Sequence, residues 1–135
     1  MQDILSLLSG FGESLAKRDY AAAVAWCEMP CTMVGPGSRR VYHSHDDAAF
    51  ELAKLWDAYT AAGVHSMDFN ILEERSFSAG LRIVDVEWLL RDASGTVAFV
   101  LCSSYVFRNT EPRPMLNAIV SHNALLERPH MAASG

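Results

Sequence analysis

Three polar residues stand out because they alternate with apolar residues on the last two strand-like segments of the chain. Ser103 and Tyr105 share a face of one segment, and the same period of two places His122 on that face of the next. A histidine beside a hydroxyl group can donate or accept a proton near neutral pH. The pattern therefore predicts proton transfer by His122, assisted by Tyr105 or Ser103. The alternative is a structural histidine that is hydrogen-bonded to a neighbour or to water.

Two other polar groups are interpreted as non-catalytic. Asp85 and Glu87 alternate with apolar residues, and their parity directs them away from the site face, toward solvent or a partner. His43 and His45 precede two aspartates, and these residue types are common ligands of metal ions. Acids in the first turn of a helix already interact favourably with the helix dipole. We therefore predict no metal site.

The three cysteines, Cys27, Cys31 and Cys102, are an odd number without the spacing of a disulfide scaffold or a zinc site. They predict reduced thiols that behave as small buried hydrophobes in a cytoplasmic protein. The first residues lack the charged segment of a signal peptide, and no apolar run approaches the roughly 20 residues of a membrane helix. We expect neither secretion nor a membrane partner.

Charge argues against one class of partner. The chain has 135 residues, and its 16 acidic and 11 basic side chains give a formal net charge of −5. An acidic chain repels phosphate backbones unless it carries a local basic patch, and no run of basic residues with interleaved aromatics is visible. The composition therefore predicts no nucleic-acid partner.

Helical patterns occupy the first half of the chain. Ile4, Leu8, Phe11 and Leu15 form one apolar stripe, with Asp3 as the predicted N-cap. We predict a second helix that is capped by Asp19, runs through Trp26 and ends at Pro30. A hairpin follows, with strands at 31–34 and 39–43 around a glycine-rich turn. The third helix is predicted to begin after Ser44 and to stop at Gly63.

From Val64 the apolar period changes to two, which is typical of β-strands. Three predicted turns, at 78–80, 92–95 and 111–114, join four long strands into a mostly antiparallel sheet. The last strand is predicted to direct Leu116, Ala118, Val120 and His122 inward. The opposite face is half apolar, with Ala98, Val100, Cys102 and Val106 on one strand and Ile119 on the next. A half-apolar outer face predicts a homodimer packed through the sheet.

These elements predict an α+β fold in which a cone-shaped, curved, mostly antiparallel sheet wraps around three N-terminal helices. One domain is expected over 1–126, followed by a frayed tail over 127–135. A cone encloses a hollow, and large apolar side chains are expected to line it. The residues predicted to line this pocket are Phe11, Trp56, Tyr59, Met67 and Trp88.

The chain resembles the SnoaL-like, ketosteroid-isomerase-like superfamily, which also contains nuclear transport factor two. The resemblance spans about Ile4 to Leu126 and depends on element order and on three stretches, at 17–24, at 84–88 together with 92–95, and at 104–108. It implies the cystatin-like cone with an apolar pocket at its open end. The same fold hosts isomerases, dehydratases, cyclases, hydrolases and non-enzymes, so it implies no particular activity.

The steroid isomerase branch of that family does not match. Its oxyanion tyrosine aligns with Phe11, its general-base aspartate with Gly35, and its protonated aspartate falls near Ser103. Phenylalanine donates no hydrogen bond and glycine accepts no proton, so that mechanism is not expected here.

Two functions remain open at this point. The first is binding of a small, apolar, possibly cyclic compound in the cone, with or without a cofactor-independent isomerisation, dehydration or cyclisation. The second is a non-catalytic homodimeric interaction or accessory module.

Overall fold

The computed structural model describes residues 4–77, 80–110 and 113–123. Three helices lie in the first half: α1 is Ile4–Ala16, α2 is Tyr20–Val24 and α3 is His45–Ala61. The side chain of Asp19 accepts the Ala22 N–H at 3.2 Å and so caps α2. Ser44 caps α3 in the same way, because its hydroxyl accepts the Asp47 N–H at 3.1 Å. Both predicted caps are confirmed.

The strands form a single curved, unclosed sheet. They are β1 Cys27–Gly35, β2 Ser38–Tyr42, β3 Val64–Phe77, β4 Leu81–Asp92, β5 Val97–Arg108 and β6 Met115–Ser121. Their order across the sheet is β2-β1-β6-β5-β4-β3. Every neighbouring pair is antiparallel except β1 and β6, which are parallel. The predicted α+β class and the mostly antiparallel sheet are confirmed.

The second helix is shorter than predicted. It ends at Val24, and Pro30 lies inside β1 instead of terminating a helix. The Leu116 N–H donates to the carbonyl of Trp26 at 2.8 Å, so this segment already pairs with β6. Pro30 falls in the irregular stretch between the Cys27 and Thr32 pairing points, where a residue without an N–H is tolerated in a strand.

The inner face of the sheet packs against α3. Val84, Val86 and Phe107 have no exposed surface, and Phe99 retains 2%. The ring of Tyr59 on α3 meets that of Phe99 edge-on, with centroids 5.0 Å apart. Phe99 therefore faces the helix and Val86 is buried on the same face of the sheet, which agrees with the predicted interior of the cone.

The last strand contains a β-bulge that the sequence pattern does not predict. Phe107 pairs with Leu116, whereas Val106 pairs with Ala118, so Asn117 is an extra residue in β6. A bulge of one residue shifts the alternation of side chains that follow it. Ile119 and Ser121 consequently lie on the inner face, and Ala118 and Val120 on the outer face, opposite to the prediction.

Several predictions fall outside the described residues. These are the Asp3 cap, the tail over 127–135, the end of the domain at 126, and parts of the turns at 78–80 and 111–114. Within the described part of the chain, no helix is both long and apolar enough to cross a membrane.

Candidate functional site

The sheet, α1 and α3 enclose a cavity of about 470 Å³. Small-molecule pockets span roughly 300–1,000 Å³, so the volume suits a compact organic ligand. The walls are mostly apolar: Leu15 lies on α1, Leu52 on α3 and Leu101 on β5. The fold therefore contains a hollow at the position where the cone was expected to have one.

Most of the predicted pocket residues line this cavity. Phe11, Trp56, Tyr59, Met67 and Trp88 all border it. Ser103 and Tyr105, predicted from the alternation along β5, border it as well. Their position is now defined, whereas their participation in binding or catalysis stays a prediction.

His122 is the exception, and its predicted position is wrong. It is exposed and lies beyond the bulge, where the alternation of β6 is reversed. Its Nε2 contacts the hydroxyl oxygen of Ser104 at 2.7 Å, on the outer face. The structure therefore separates His122 from Ser103 and Tyr105 by the thickness of the sheet.

A hydrogen-bonded pair supplies the polar spot deep in the cavity. The indole N–H of Trp88 donates to the hydroxyl of Tyr105 at 2.7 Å, and both side chains are buried. Burial raises the pKa of Tyr105 to about 12, although hydrogen bonds with Trp88 and Ser103 partly oppose this. Tyr105 is therefore neutral at physiological pH. Because its oxygen accepts from Trp88, the hydroxyl hydrogen of Tyr105 can be donated either to Ser103 or to a ligand in the cavity.

Aromatic rings hold this pair in place. Phe11 contacts Trp88 with ring centroids 5.6 Å apart, and Phe69 contacts Trp88 on β4 at 5.4 Å. Trp26 lies 6.0 Å from Tyr105 and 5.5 Å from Phe11. Tilted aromatic pairs at these distances add to area burial, so the wall of the cavity is a packed cluster and not a set of independent side chains.

The sequence patterns did not predict several other lining residues, of which three charged ones and two that follow the bulge matter most. They are Arg40, Glu51, Lys54, Ile119 and Ser121. Arg40 alternates with Ser38 and Tyr42 in β2, so period-two parity would have found it once the inner face of that short strand was known. Ile119 and Ser121 were hidden by the bulge, which no sequence pattern marks.

The outer face carries a second polar cluster that superficially resembles a hydrolase triad. Ser104 donates its hydroxyl hydrogen to Asp85 at 2.5 Å, and His122 contacts the same hydroxyl oxygen. In a triad the serine donates to histidine and the carboxylate contacts the other imidazole nitrogen. Here the single serine hydrogen goes to the carboxylate, so His122 donates to Ser104. The cluster links the residue after β6 to β5 and β4, and this arrangement is not that of an activated nucleophile.

Cys27 and Cys31 lie in the core as free thiols. A hydrogen bond with Cys31 and, secondarily, burial raise the pKa of the Cys27 thiol. Nε2 of His45 donates to the carbonyl of Cys27 at 2.8 Å and so ties the start of α3 to β1. Among the described residues, no group of three or more histidine, cysteine, aspartate or glutamate side chains is arranged to hold a metal ion.

No protein-family model matches the chain, and no curated protein matches it. Solved structures do. A domain of unknown function with a cystatin-like fold from Nostoc punctiforme matches with a TM-score of 0.71 and 10% identity, over 90% of this chain and 75% of that one. An NTF2-like protein of unknown function from Shewanella oneidensis matches with a TM-score of 0.69 and 18% identity, over 89% and 96%.

The fold is NTF2-like. A third NTF2-like structure, from Streptomyces avermitilis and provisionally assigned as a dehydratase, has a TM-score of 0.59 and 15% identity, over 88% of this chain and 91% of that chain. At such identities the likeness establishes the NTF2-like architecture and transfers no activity. The fold implied by the sequence resemblance is thus confirmed, and function must be argued from the cavity.

Proposed function

We propose that this NTF2-like domain binds a small, largely apolar compound inside the cone. The observation that supports it is the cavity of about 470 Å³, whose aromatic wall surrounds one directed polar pair, Trp88 and Tyr105. Ligand sites are mostly apolar with a few placed polar groups, and this hollow has that composition. A ligand with a ring system and one hydrogen-bond acceptor suits it.

Binding has more support than proton-transfer catalysis. Among the described lining residues there is no histidine or aspartate, and Glu51 is the single carboxylate. Tyr105, with a pKa of about 12, holds its proton too tightly to act as a base near neutral pH. His122, the predicted proton carrier, lies on the other face of the sheet. The hypothesis of an isomerase, dehydratase or cyclase that uses His122 therefore loses its basis.

Fluorescence titration with N-phenylnaphthylamine, a neutral apolar probe, tests the proposal. The matched variants are Leu101→Trp, which adds bulk inside the cavity, and Leu89→Trp, which adds it to the neighbouring strand on the outer face. We expect saturable binding by the wild type and Leu89→Trp, and at least tenfold weaker binding by Leu101→Trp. Absence of saturable binding, or equal binding by both variants, would contradict the proposal.

A second proposal concerns the outer face of the sheet, which we propose packs against a second copy of the chain. Val34, Val41 and Val120 are 38%, 45% and 39% exposed and cluster there on β1, β2 and β6. Arg39 lies on the same face at the β2 side, and Asp85 lies on β4. A two-fold axis parallel to β6 would bring each Arg39 over Asp85 on the partner's β4, which adds one pair of opposite charges on each side of the apolar cluster.

Sedimentation equilibrium tests the dimer directly. Val120→Glu introduces a charge into the apolar cluster and should convert a dimer to a monomer. Leu5→Glu changes a leucine on α1, away from the sheet, that is 55% exposed, and should leave the mass unchanged. A monomeric wild type, or a dimer that survives Val120→Glu, would rule out this interface.

A further inference from the structure

The charged residues of the cavity lie at its opening. Among the described lining residues, Arg40, Glu51 and Lys54 are the charged ones. Ser38, Arg40 and Lys54 are the exposed members of the lining, whereas Trp88 and Tyr105 are buried at its inner end. The mouth of the cavity is therefore the gap between β2 and α3.

The local charge at this mouth opposes that of the whole protein. Two cations and one carboxylate give the mouth a charge of +1, while the chain as a whole carries −5. Two sequence spacings, one in β2 and one in α3, bring these charged residues to the mouth. Arg40 alternates with Ser38 and Tyr42 on β2, and Glu51 and Lys54 are three residues apart on α3, so they share a helix face.

Both cations share one carboxylate oxygen and are accessible to a ligand. Oε1 of Glu51 lies 3.2 Å from Nη1 of Arg40 and 4.0 Å from Nζ of Lys54, and the cationic side chains are 61% and 62% exposed. Exposed ion pairs contribute only about 0–1 kcal/mol, so an incoming anion can replace Glu51 at little cost. Lys54 also lies over the Phe50 ring, at 5.4 Å from its centroid.

We infer that the ligand is an amphipathic anion. Its apolar ring system occupies the aromatic hollow, and one carboxylate or similar anionic group lies between Arg40 and Lys54 at the mouth. Guanidinium groups pair with planar oxyanions through two parallel N–H bonds, which orients the ligand as well as attracting it. This inference rests on the proposed function, because it names the chemistry of the compound that the cavity takes.

The competing explanation is that Arg40 and Glu51 only join β2 to α3. The two explanations predict opposite effects of removing Glu51 on the affinity for an anion. If the pair is purely structural, removing either partner loosens the same contact. If the cations receive a ligand anion, removing Arg40 weakens anion binding, whereas removing Glu51 strengthens it by eliminating a competitor.

The test compares anilinonaphthalene sulfonate, an anion, with N-phenylnaphthylamine, which has the same aromatic framework without the sulfonate. In the double variant Arg40→Gln/Lys54→Gln we expect the dissociation constant of the anion to rise about tenfold and that of the neutral probe to stay unchanged. Glu51→Gln should lower the constant for the anion. Lys17→Gln, which removes an exposed cation after the end of α1 and outside the cavity lining, is the control and should change neither constant.

The outcomes separate this inference from the proposed function. If both probes bind the wild type and the double variant weakens both or neither, the inference is wrong and the apolar cavity proposal stands. A Glu51→Gln variant that weakens the anion also overturns the inference. If Leu101→Trp blocks the binding of neither probe, both the cavity proposal and the anion inference fail. Thermal unfolding of each variant verifies that the fold is retained.

Discussion

The two faces of the same three strands, β4, β5 and β6, use polar residues in opposite ways. On the inner face, Trp88 and Tyr105 form a buried hydrogen-bonded pair within an aromatic cluster. On the outer face, Ser104, Asp85 and His122 form a partly exposed chain of hydrogen bonds across the strands. Residues that are adjacent in sequence therefore experience different dielectric environments.

The difference shows on which face a polar group can have a large energetic effect on a ligand or on stability. A polar group without water has a large energetic effect, because no solvent replaces a lost partner. A polar group near water has a small one, because solvent does replace the partner. The inner pair is thus suited to directing a ligand, whereas the outer cluster contributes mainly to the shape and charge of a surface.

The largest expected effect comes from truncating the inner wall. Trp88→Ala removes a side chain that is 2% exposed and contacts three aromatic rings, so we expect a loss of about 3–5 kcal/mol in the free energy of unfolding. Leu89→Ala, the next residue on the outer face, should lose about 1 kcal/mol or less because it is half-buried. Urea denaturation measures both, and equal losses would erase the contrast between the faces.

A smaller effect is expected from deleting single hydroxyl groups on the two faces. Tyr105→Phe leaves the buried Trp88 N–H without its acceptor, and we expect a loss of about 1–3 kcal/mol. Ser104→Ala removes a hydrogen bond that water can replace, so we expect about 0.5–1 kcal/mol. If Ser104→Ala proved the more damaging change, the ranking of the two environments would be reversed.

Tyrosine absorbance provides a second measurement on the inner pair. Burial raises the folded pKa of Tyr105 above its ordinary value of 10, to about 12. The stability that this shift contributes is fully present below pH 10 and is lost as pH rises toward 12, because the unfolded chain ionises first. Tyr105→Phe should abolish the tyrosine component that titrates near pH 12. A wild type whose tyrosines all titrate near 10 would show that the site is wet.

The smallest expected effect on stability concerns Glu28, which binds the side chain of the bulge residue Asn117. Glu28 accepts from Nε of Arg108 at 2.9 Å and from the amide of Asn117 at 2.7 Å. These hydrogen bonds, chiefly from Arg108, lower its pKa from 4.5 to about 2. The stabilising contribution is therefore present above pH 4.5 and is lost as pH falls toward 2.

Glu28→Gln should flatten the decline of unfolding free energy across that acidic window. Arg108→Gln, which removes the main donor, should flatten it in the same way. Denaturant unfolding at a series of acidic pH values measures the slope. A slope that is unchanged in both variants would mean that the carboxylate is not held in solution as it is in the structure.

The order of elements, the caps at Asp19 and Ser44 and the pocket position of Trp88 and Tyr105 followed from local patterns, because burial on one face imposes a visible period. Pro30 misled the helix prediction, since it lies in an irregular stretch of β1 where a strand tolerates a residue without an N–H. His122 was misplaced because one bulge residue, Asn117, has no signature in sequence and reverses every later side chain. The charged mouth was missed because β2 is too short for its inner face to be inferred.

Because Asn117 is the extra residue of the bulge, β6 can lose one residue without losing its pairing with β5. Removing it would let Ala118 follow Leu116 directly and would restore a regular ladder with β5, while the same side chains stay inside and outside. A chain with this architecture that is one residue shorter here can therefore keep an identical hollow. A sequence alignment of this chain with the shorter one that lacks a gap at Asn117 would then match inward-facing residues with outward-facing ones along the rest of β6.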